Sequence, residues 1–510
     1  LEQSLNNFLL AASILLLSSI LLSRSSNRFG LPILVLYLFI GMIGGSEGLG
    51  KIHFDNYELS YTLSLVALCL IIFNGGFETS LNDVKDNIKR GIVLSSLGIL
   101  LTTALVGAFT HLVFKLGLLE SLLLGAILSA TDAAAVFSVF KDRKSQVAGP
   151  VQNILKFESG SNDPMAYFLV SVILGFMERG DQSLGFSLMH IIVNPTMGLL
   201  GGFVFAHIFI SLNNKISLEF TGLYPAMSLA FLFLCYSTTT IMEGNGFLAV
   251  YIFGLLIGNR RILHKKLLYS FYDGVSWLSQ IGLFLMLGLL VFPSRLIPVA
   301  PVGLWISAFL IVIARPLTIF ICLIGSRFNY REKIFISWSG LKGATPIVFA
   351  SFAATYLGTK ANTLFDIVFF IVLVSALLQG STLKFMAKKL GLLMEPDDNA
   401  EFPVDMELLS QTKNGSIQFK VKENDFAVGN RVVDLNLPSG ALVLFIKRQG
   451  SFIIPDGSSM FENHDEVLMV TKYKADVEEA KKCFQEKRKI SNSNSDDQSI
   501  INDTIINFDP

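Results

Sequence analysis

GAILSATDAAAVFSVF (125–140) and VQNILKFESGSNDPMAYFLV (151–170) are neighbouring apolar stretches with three acids, Asp132, Glu158 and Asp163, in their interiors. Insertion into a bilayer centre costs an ionisable side chain about 2.5–3.5 kcal/mol, so acids at such positions mark an ion path. The bland alternative is a charge that has reached out to the interface. It fits Lys115, Glu178 and Lys384, which sit at the ends of apolar runs. It does not fit three acids in mid-run, and a polar cluster that merely glued helices together would rarely need so many.

The rest of the chain has the composition this reading requires. Of 510 residues 52% are hydrophobic and only 16% charged, with mean hydropathy +0.57; soluble domains carry about a quarter charged residues. Charges are sparse up to Leu390 and ordinary after Glu395, so a long membrane part precedes a small water-exposed part. A span needs roughly 20 apolar residues. Thirteen runs qualify, at about 5–23, 31–50, 58–76, 91–114, 118–140, 148–177, 184–211, 222–242, 246–259, 272–292, 299–324, 332–357 and 363–386. The ninth is short, with Gly246, Gly254 and Gly258. Residues 5–22 could pass for a signal peptide, but no basic region precedes them and no small-residue cleavage site follows; they are expected to be a span.

With the N-terminus outside, the loops on the cytoplasmic side carry about 16 basic residues. The other side has 5: Lys51, Lys115, Arg179, Arg295 and Lys360. That asymmetry follows the positive-inside rule and puts the C-terminus in the cytoplasm of a cell whose inner (plasma) membrane holds the protein. Zero net charge offers no argument for nucleic acid. Cys69, Cys235, Cys322 and Cys483 have irregular spacing, three of them inside apolar runs, and suggest neither disulfides nor a zinc site.

Helical periodicity sorts the second stretch. Glu158 and Asn162 share one face, Ser159 and Asp163 the next. The latter pair, with Thr131 and Asp132, offers only oxygen ligands, which suit a hard monovalent cation such as sodium or potassium. Gly160 and Pro164 are expected to weaken the helix and free backbone carbonyls. Basic partners lie late in the chain. Arg315 sits within FLIVIARPLTIFICL (309–323), and an Arg this deep must be paired; the Glu158/Asn162 face is the expected partner. Lys342 lies in WSGLKGATPIVFA (338–350), where Gly340 and Gly343 could also mark a break near water. ATDAAA (130–135) and GATPIV (343–348) are matching mid-span interruptions, the mark of broken helices at the substrate site of an inverted-repeat transporter. The expected fold is an all-α polytopic membrane protein of about thirteen transmembrane helices with inverted repeats and broken crossing helices, joined to a small α+β cytoplasmic domain.

ATDAAAV (130–136) followed by ESGSNDP (158–164) resembles the monovalent cation/proton antiporters of the NhaP type, and is especially similar to the potassium/proton branch known as cell volume regulation protein A. The resemblance covers essentially residues 5–390. It implies the same count and orientation of spans, a homodimer, and a core that moves against a fixed dimer domain. It also implies that Asp163 alternately holds proton and cation, that Thr131, Asp132 and Ser159 help line the site, and that Glu158 and Asn162 pair with Arg315. The family often has Arg at the place of Lys342. A third-span residue can add to the site, and in IIFNGGFETS (71–80) either Asn74 or Glu78 could match.

Residues 1–390 are therefore read as the cation/proton exchange domain. From 402 to 475 short strands are expected at 416–421, 442–447, 451–454 and 466–470, and VVDLNLPSGALVLFIKRQGSFIIPDGSSMFENHDEVLMV (432–470) resembles the TrkA-C-type regulatory domain of potassium channels and transporters. Such domains often dimerise and can bind a small regulatory ligand; a plain stabilising cap is the alternative. An amphipathic helix over 476–490 and a disordered tail over 491–510 (SNSNSDDQS) complete the chain. No enzyme motif and no resident cofactor is expected. Potassium is favoured as cargo and sodium is the alternative. A channel would lack this concentration of titratable groups, and a primary pump would need a phosphate-binding loop or a phosphorylatable Asp domain.

Overall fold

The computed structural model describes residues 2–29, 33–85, 87–140, 147, 149–179, 184–358, 361–393, 415–448, 451–473 and 476–486. Two compact units divide the chain, Leu1–Pro396 and Asp397–Pro510.

Helices dominate the first unit: α1 (Glu2–Phe29), α2 (Ile33–Gly44), α3 (Tyr57–Glu78), α4 (Leu81–Val84), α5 (Ile88–Val93), α6 (Ile99–Phe114), α7 (Leu118–Ile127), α8 (Ala133–Val139) and α9 (Gly149–Arg179). They continue as α10 (Leu184–Lys215), α11 (Leu223–Ile241), α12 (Gly246–Gly258), α13 (Lys265–Leu289), α14 (Pro293–Phe309), α15 (Arg315–Cys322), α16 (Tyr330–Trp338), α17 (Ala344–Leu357) and α18 (Ala361–Lys389). Every apolar run of the sequence falls on a helix or on two half-helices. Among the described residues 6 helices are long and apolar enough to cross a membrane by length and composition. The short ninth run is α12, 13 residues long, or about 20 Å at 1.5 Å per residue. It is buried nearly all round, so its neighbours and not its length hold it.

An internal correspondence runs through this unit. The helix of residues 88–114 widens into a π-helical turn at Leu94–Gly98, and that of 293–322 does so at Leu310–Ala314. Each precedes a broken helix, α7/α8 and α16/α17, and each broken helix precedes an unbroken one, α9 and α18. Elsewhere helices cross backbone against backbone: α2 meets α13 at Gly41 and Gly288, and α3 meets α12 at Gly76, Gly254 and Gly258. A Cβ there would strike a main chain, which is why membrane helix contacts use small residues.

Contrary to the expectation for Gly160 and Pro164, α9 runs unbroken through both. Proline removes the one N–H that would bond Gly160 O without ending the helix, and Asn245 Nδ2 donates to Pro164 O at 2.8 Å, tying that turn to the start of α12. Gly160 serves close approach: a Cβ on it would lie 2.7 Å from the Tyr251 ring of α12.

In the second unit, β1 (Gly415–Lys420), β2 (Ala441–Arg448), β3 (Ser451–Ile453) and β4 (Glu466–Thr471) form one antiparallel sheet of order β1-β4-β2-β3. Helix α19 (Val477–Gln485) buries Ala480, Cys483 and Phe484. Phe484 meets Phe419 and Phe461 edge-on in the core. The tail expected over 491–510 lies outside the described residues.

Candidate functional site

Two interrupted helices meet at their breaks. Between α7 and α8 the chain is non-helical through Asp132, and between α16 and α17 through Gly343. Asp132 N–H donates to Leu341 O at 2.9 Å, joining one break to the other. Each break turns charged half-helix ends toward the middle, positive at N-termini and negative at C-termini. Asp132 is the N-cap of α8, accepting from Ala135 N–H at 3.1 Å. Its carboxylate also lies against Gly343, the N-cap of α17, where any Cβ would collide with it. Lys342 answers the opposite pole. Its buried ammonium donates to Ala130 O at 3.0 Å, past the C-terminus of α7, and its N–H donates to Ser375 Oγ at 3.0 Å.

Helix α9 lies against this crossing and uses its two faces differently. On one face Glu158 and Arg315 form a buried ion pair at 2.6 Å, each at most 5% exposed. Arg315 follows directly on the π-helical turn of residues 310–314 and packs against Gly340 of the second break. Asn162 does not extend that pair: its Nδ2 donates to Thr131 Oγ1 at 2.6 Å. On the other face Ser159 Oγ donates to Thr131 O and accepts from Ala133 N–H, both at 2.9 Å. Thr131 and Ser159 thus bind α9 to the first break. Asp163 is buried, accepts from Thr345 Oγ1 at 3.0 Å through Oδ2, and accepts no hydrogen bond from the protein at Oδ1.

A cavity of about 210 Å³ reaches this carboxylate. Asp132, Ser159, Asp163 and Thr345 line the cavity, together with Lys156 of α9, Asn74 and Glu78 of α3, and Asp273, Ser276 and Gln280 of α13. Both third-span candidates are present, linked by Asn74 Nδ2 donating to Glu78 Oε1 at 2.9 Å. Thr131 is not on the cavity wall. One turn along α9 from Asp163, outside the cavity, Tyr167 belongs to an aromatic layer. Its ring centroid is 5.4 Å from that of Phe352 and 4.8 Å from that of Phe247, and Phe352 stacks on Tyr61 at 4.9 Å.

Thr345 lies within the GATPIV interruption without being singled out there, and no motif marks Asp273 or Gln280 in the sequence. The available signal was a polar stripe, Asp273, Ser276 and Gln280, at i, i+3 and i+7 on an otherwise apolar helix. Among the described residues no group of three His, Cys, Asp or Glu side chains could hold a metal ion. Chemically, the cavity offers hard oxygen ligands around one buried carboxylate with a free oxygen. Such a group can take a proton or neutralise a cation.

The sodium/hydrogen exchanger transmembrane family model matches residues 13–389, and the TrkA-C domain matches residues 417–484. The chain is 36% identical to the K(+)/H(+) antiporter NhaP of Alkalimonas amylolytica over 480 residues, 93% of this chain and 83% of that protein. It is 32% identical to the K(+)/H(+) antiporter NhaP2 of Shewanella baltica over 512 residues, 99% of this chain and 87% of that protein. The solved structure of the sodium proton antiporter MjNhaP1 from Methanocaldococcus jannaschii superposes with a TM-score of 0.65 at 25% identity, covering 75% of this chain and 99% of that one. The chain belongs to the sodium/hydrogen exchanger family: it is a multi-pass membrane cation/proton antiporter, not an enzyme, with a TrkA-C domain at its C-terminal end.

Proposed function

We propose that this antiporter exchanges potassium for protons, one for one, by presenting Asp163 alternately to the two sides of the membrane. The observation that carries the reading is Asp163 itself, buried beside a cavity with one oxygen held by Thr345 and the other free. Cation and proton compete for that oxygen, and competition for one carboxylate makes exchange obligatory. Asp132 is already held by Ala135 N–H at the start of α8 and lies against Gly343 at the start of α17, so in this reading it is a fixed wall of the site. Asn162 is an amide pinned to Thr131. Only one group then changes its charge in each cycle, which makes transport electroneutral. Ser159 lines the site, while Thr131 sets its shape.

Potassium is favoured by the names of the two relatives that align over nearly the whole chain; sodium is the alternative, the ion named for MjNhaP1. In this reading the wall of α3 and α13 stays fixed while α8, α9 and α17 move, and the layer of Tyr61, Tyr167 and Phe352 closes the far side. The protein is a homodimer of the inner membrane, N-terminus outside, and the cytoplasmic TrkA-C domain adjusts transport on binding a small ligand. Proteoliposomes loaded with a pH dye, titrated separately with potassium and sodium, test the proposal. Dequenching at lower potassium than sodium, with no response from a membrane-potential dye, is expected. A transport-driven potential would reject one-for-one exchange, and a preference for sodium would reject potassium as the cargo.

A further inference from the structure

The polar stripe of α13 interrupts an otherwise apolar helix. Asp273, Ser276 and Gln280 all face the cavity that Asp163 lines. Gln280 is 8% exposed, and its Oε1 accepts no hydrogen bond from the protein. Its Nε2 lies 3.4 Å from Ser276 Oγ, one turn back on the same helix, so the donor end of the amide is used within α13 and the carbonyl end is not. A buried amide oxygen without a partner costs about 1–3 kcal/mol, and leucine, which α13 uses repeatedly, would avoid that cost. Asp163 Oδ1 and Asn74 Oδ1 are further unpartnered acceptors on residues that line the same cavity. Three unpartnered oxygens on the lining of one cavity suit a species that is all charge and no acceptor, and a desolvated monovalent cation is such a species.

We infer that Gln280 is a ligand of the transported cation and the residue that sets which monovalent ion is preferred. The assignment rests on Asp163 being the carrier. Gln280 contributes a neutral carbonyl dipole, a weak-field ligand of the kind that replaces an ion's water shell in potassium-selective filters. A weak field recovers the hydration energy of a large ion more fully than that of a small one; a carboxylate in its place does the reverse. The proton needs no such ligand, since it binds Asp163 covalently. Gln280 therefore acts on the cation half of the exchange alone, and it does so from a different helix from the carrier.

The test compares wild type, Gln280→Leu, Gln280→Glu and Asp163→Asn in proteoliposomes of matched protein content, with potassium and sodium titrated separately. Gln280→Leu is expected to raise the half-saturating potassium concentration about tenfold, the loss of one good polar contact, with the maximal rate kept. Gln280→Glu is expected to move the potassium-to-sodium preference toward sodium by a similar factor. Asp163→Asn is expected to be inactive. If both Gln280 variants keep the wild-type half-saturation values and ion preference, Gln280 is only a hydrated part of the wall and the inference is overturned. The ion preference is read against wild type, so it judges Gln280 even if exchange persists in Asp163→Asn, a result that would relocate the carrier. If Gln280→Leu fails to insert, Gln280→Glu, which keeps size and polarity, decides the matter alone.

Discussion

Lys342 in the second broken helix places its ammonium 3.0 Å from the carbonyl oxygen of Ala130 in the first. Asp132 of the first break lies in turn against Gly343 of the second. Each break thus supplies the charge that the other's half-helix ends call for. Lys342→Met leaves the C-terminal end of α7 uncompensated, at a cost of about 2 kcal/mol for a charge in a buried setting. The variant should melt earlier in detergent by a clearly measurable margin. An unchanged melting curve would mean that the ammonium does not support the crossing.

Arg315 and Glu158 should behave as one unit. Removing one member of a buried ion pair strands the other, at about 3–5 kcal/mol. Arg315→Ala is therefore expected to lower the yield of folded protein more than it lowers turnover per folded molecule. Glu158→Gln in the same background should recover part of that yield. Size-exclusion profiles of the single and double variants give the comparison, and a normal profile for Arg315→Ala argues against the pair as a structural element.

Competition at Asp163 gives transport a pH signature. Protons and cations exclude each other from one carboxylate, so acidification should raise the cation concentration for half-maximal rate and leave the maximal rate at saturating cation nearly unchanged. A fall in maximal rate with constant half-saturation would place the pH-sensitive group elsewhere. Asp163→Asn should insert normally and exchange nothing, because an amide neither takes up the proton nor neutralises the cation.

Every proposed ion ligand lies before residue 390, so deleting residues 402–510 should leave a protein that inserts and exchanges, with altered pH or ligand dependence. Complete loss of exchange in a properly inserted truncation would make the TrkA-C domain part of the transport cycle.

Within that domain Arg448 chelates Asp465, through Nε at 2.9 Å and Nη2 at 2.7 Å, and Asp465 is 1% exposed. The hydrogen bonds to Asp465 raise the pKa of Arg448, so the guanidinium stays charged at any working pH. Arg448→Met should lower the domain's unfolding free energy by about 1–3 kcal/mol, the cost of a buried acceptor left short of its partner. Urea titration followed by circular dichroism reads this out; a difference within error would show the pair to be dispensable.

Much of this molecule is determined by local sequence. Apolar run length places the helices, because a bilayer leaves no other home for them. The interruptions read at 130–135 and 343–348 are visible because small, polar and Pro/Gly residues cannot continue a buried helix unaided, and the second break itself falls just before, at 339–343. The acids of α9 stand out because uncompensated charge is rare in apolar surroundings. What the sequence leaves open is decided by how the helices turn toward one another. Periodicity puts Glu158 and Asn162 on one face, but only the packing sends Glu158 to Arg315 and Asn162 to Thr131. Proline and glycine suggest a weak point in α9, yet it runs unbroken through both, with Pro164 O bonded by Asn245 and Gly160 packed against the ring of Tyr251. Gln280 lies 117 positions from Asp163 and lines the same cavity. That juxtaposition depends on the rotation of α13 about its axis, which contacts with the whole bundle set and no short stretch of sequence encodes.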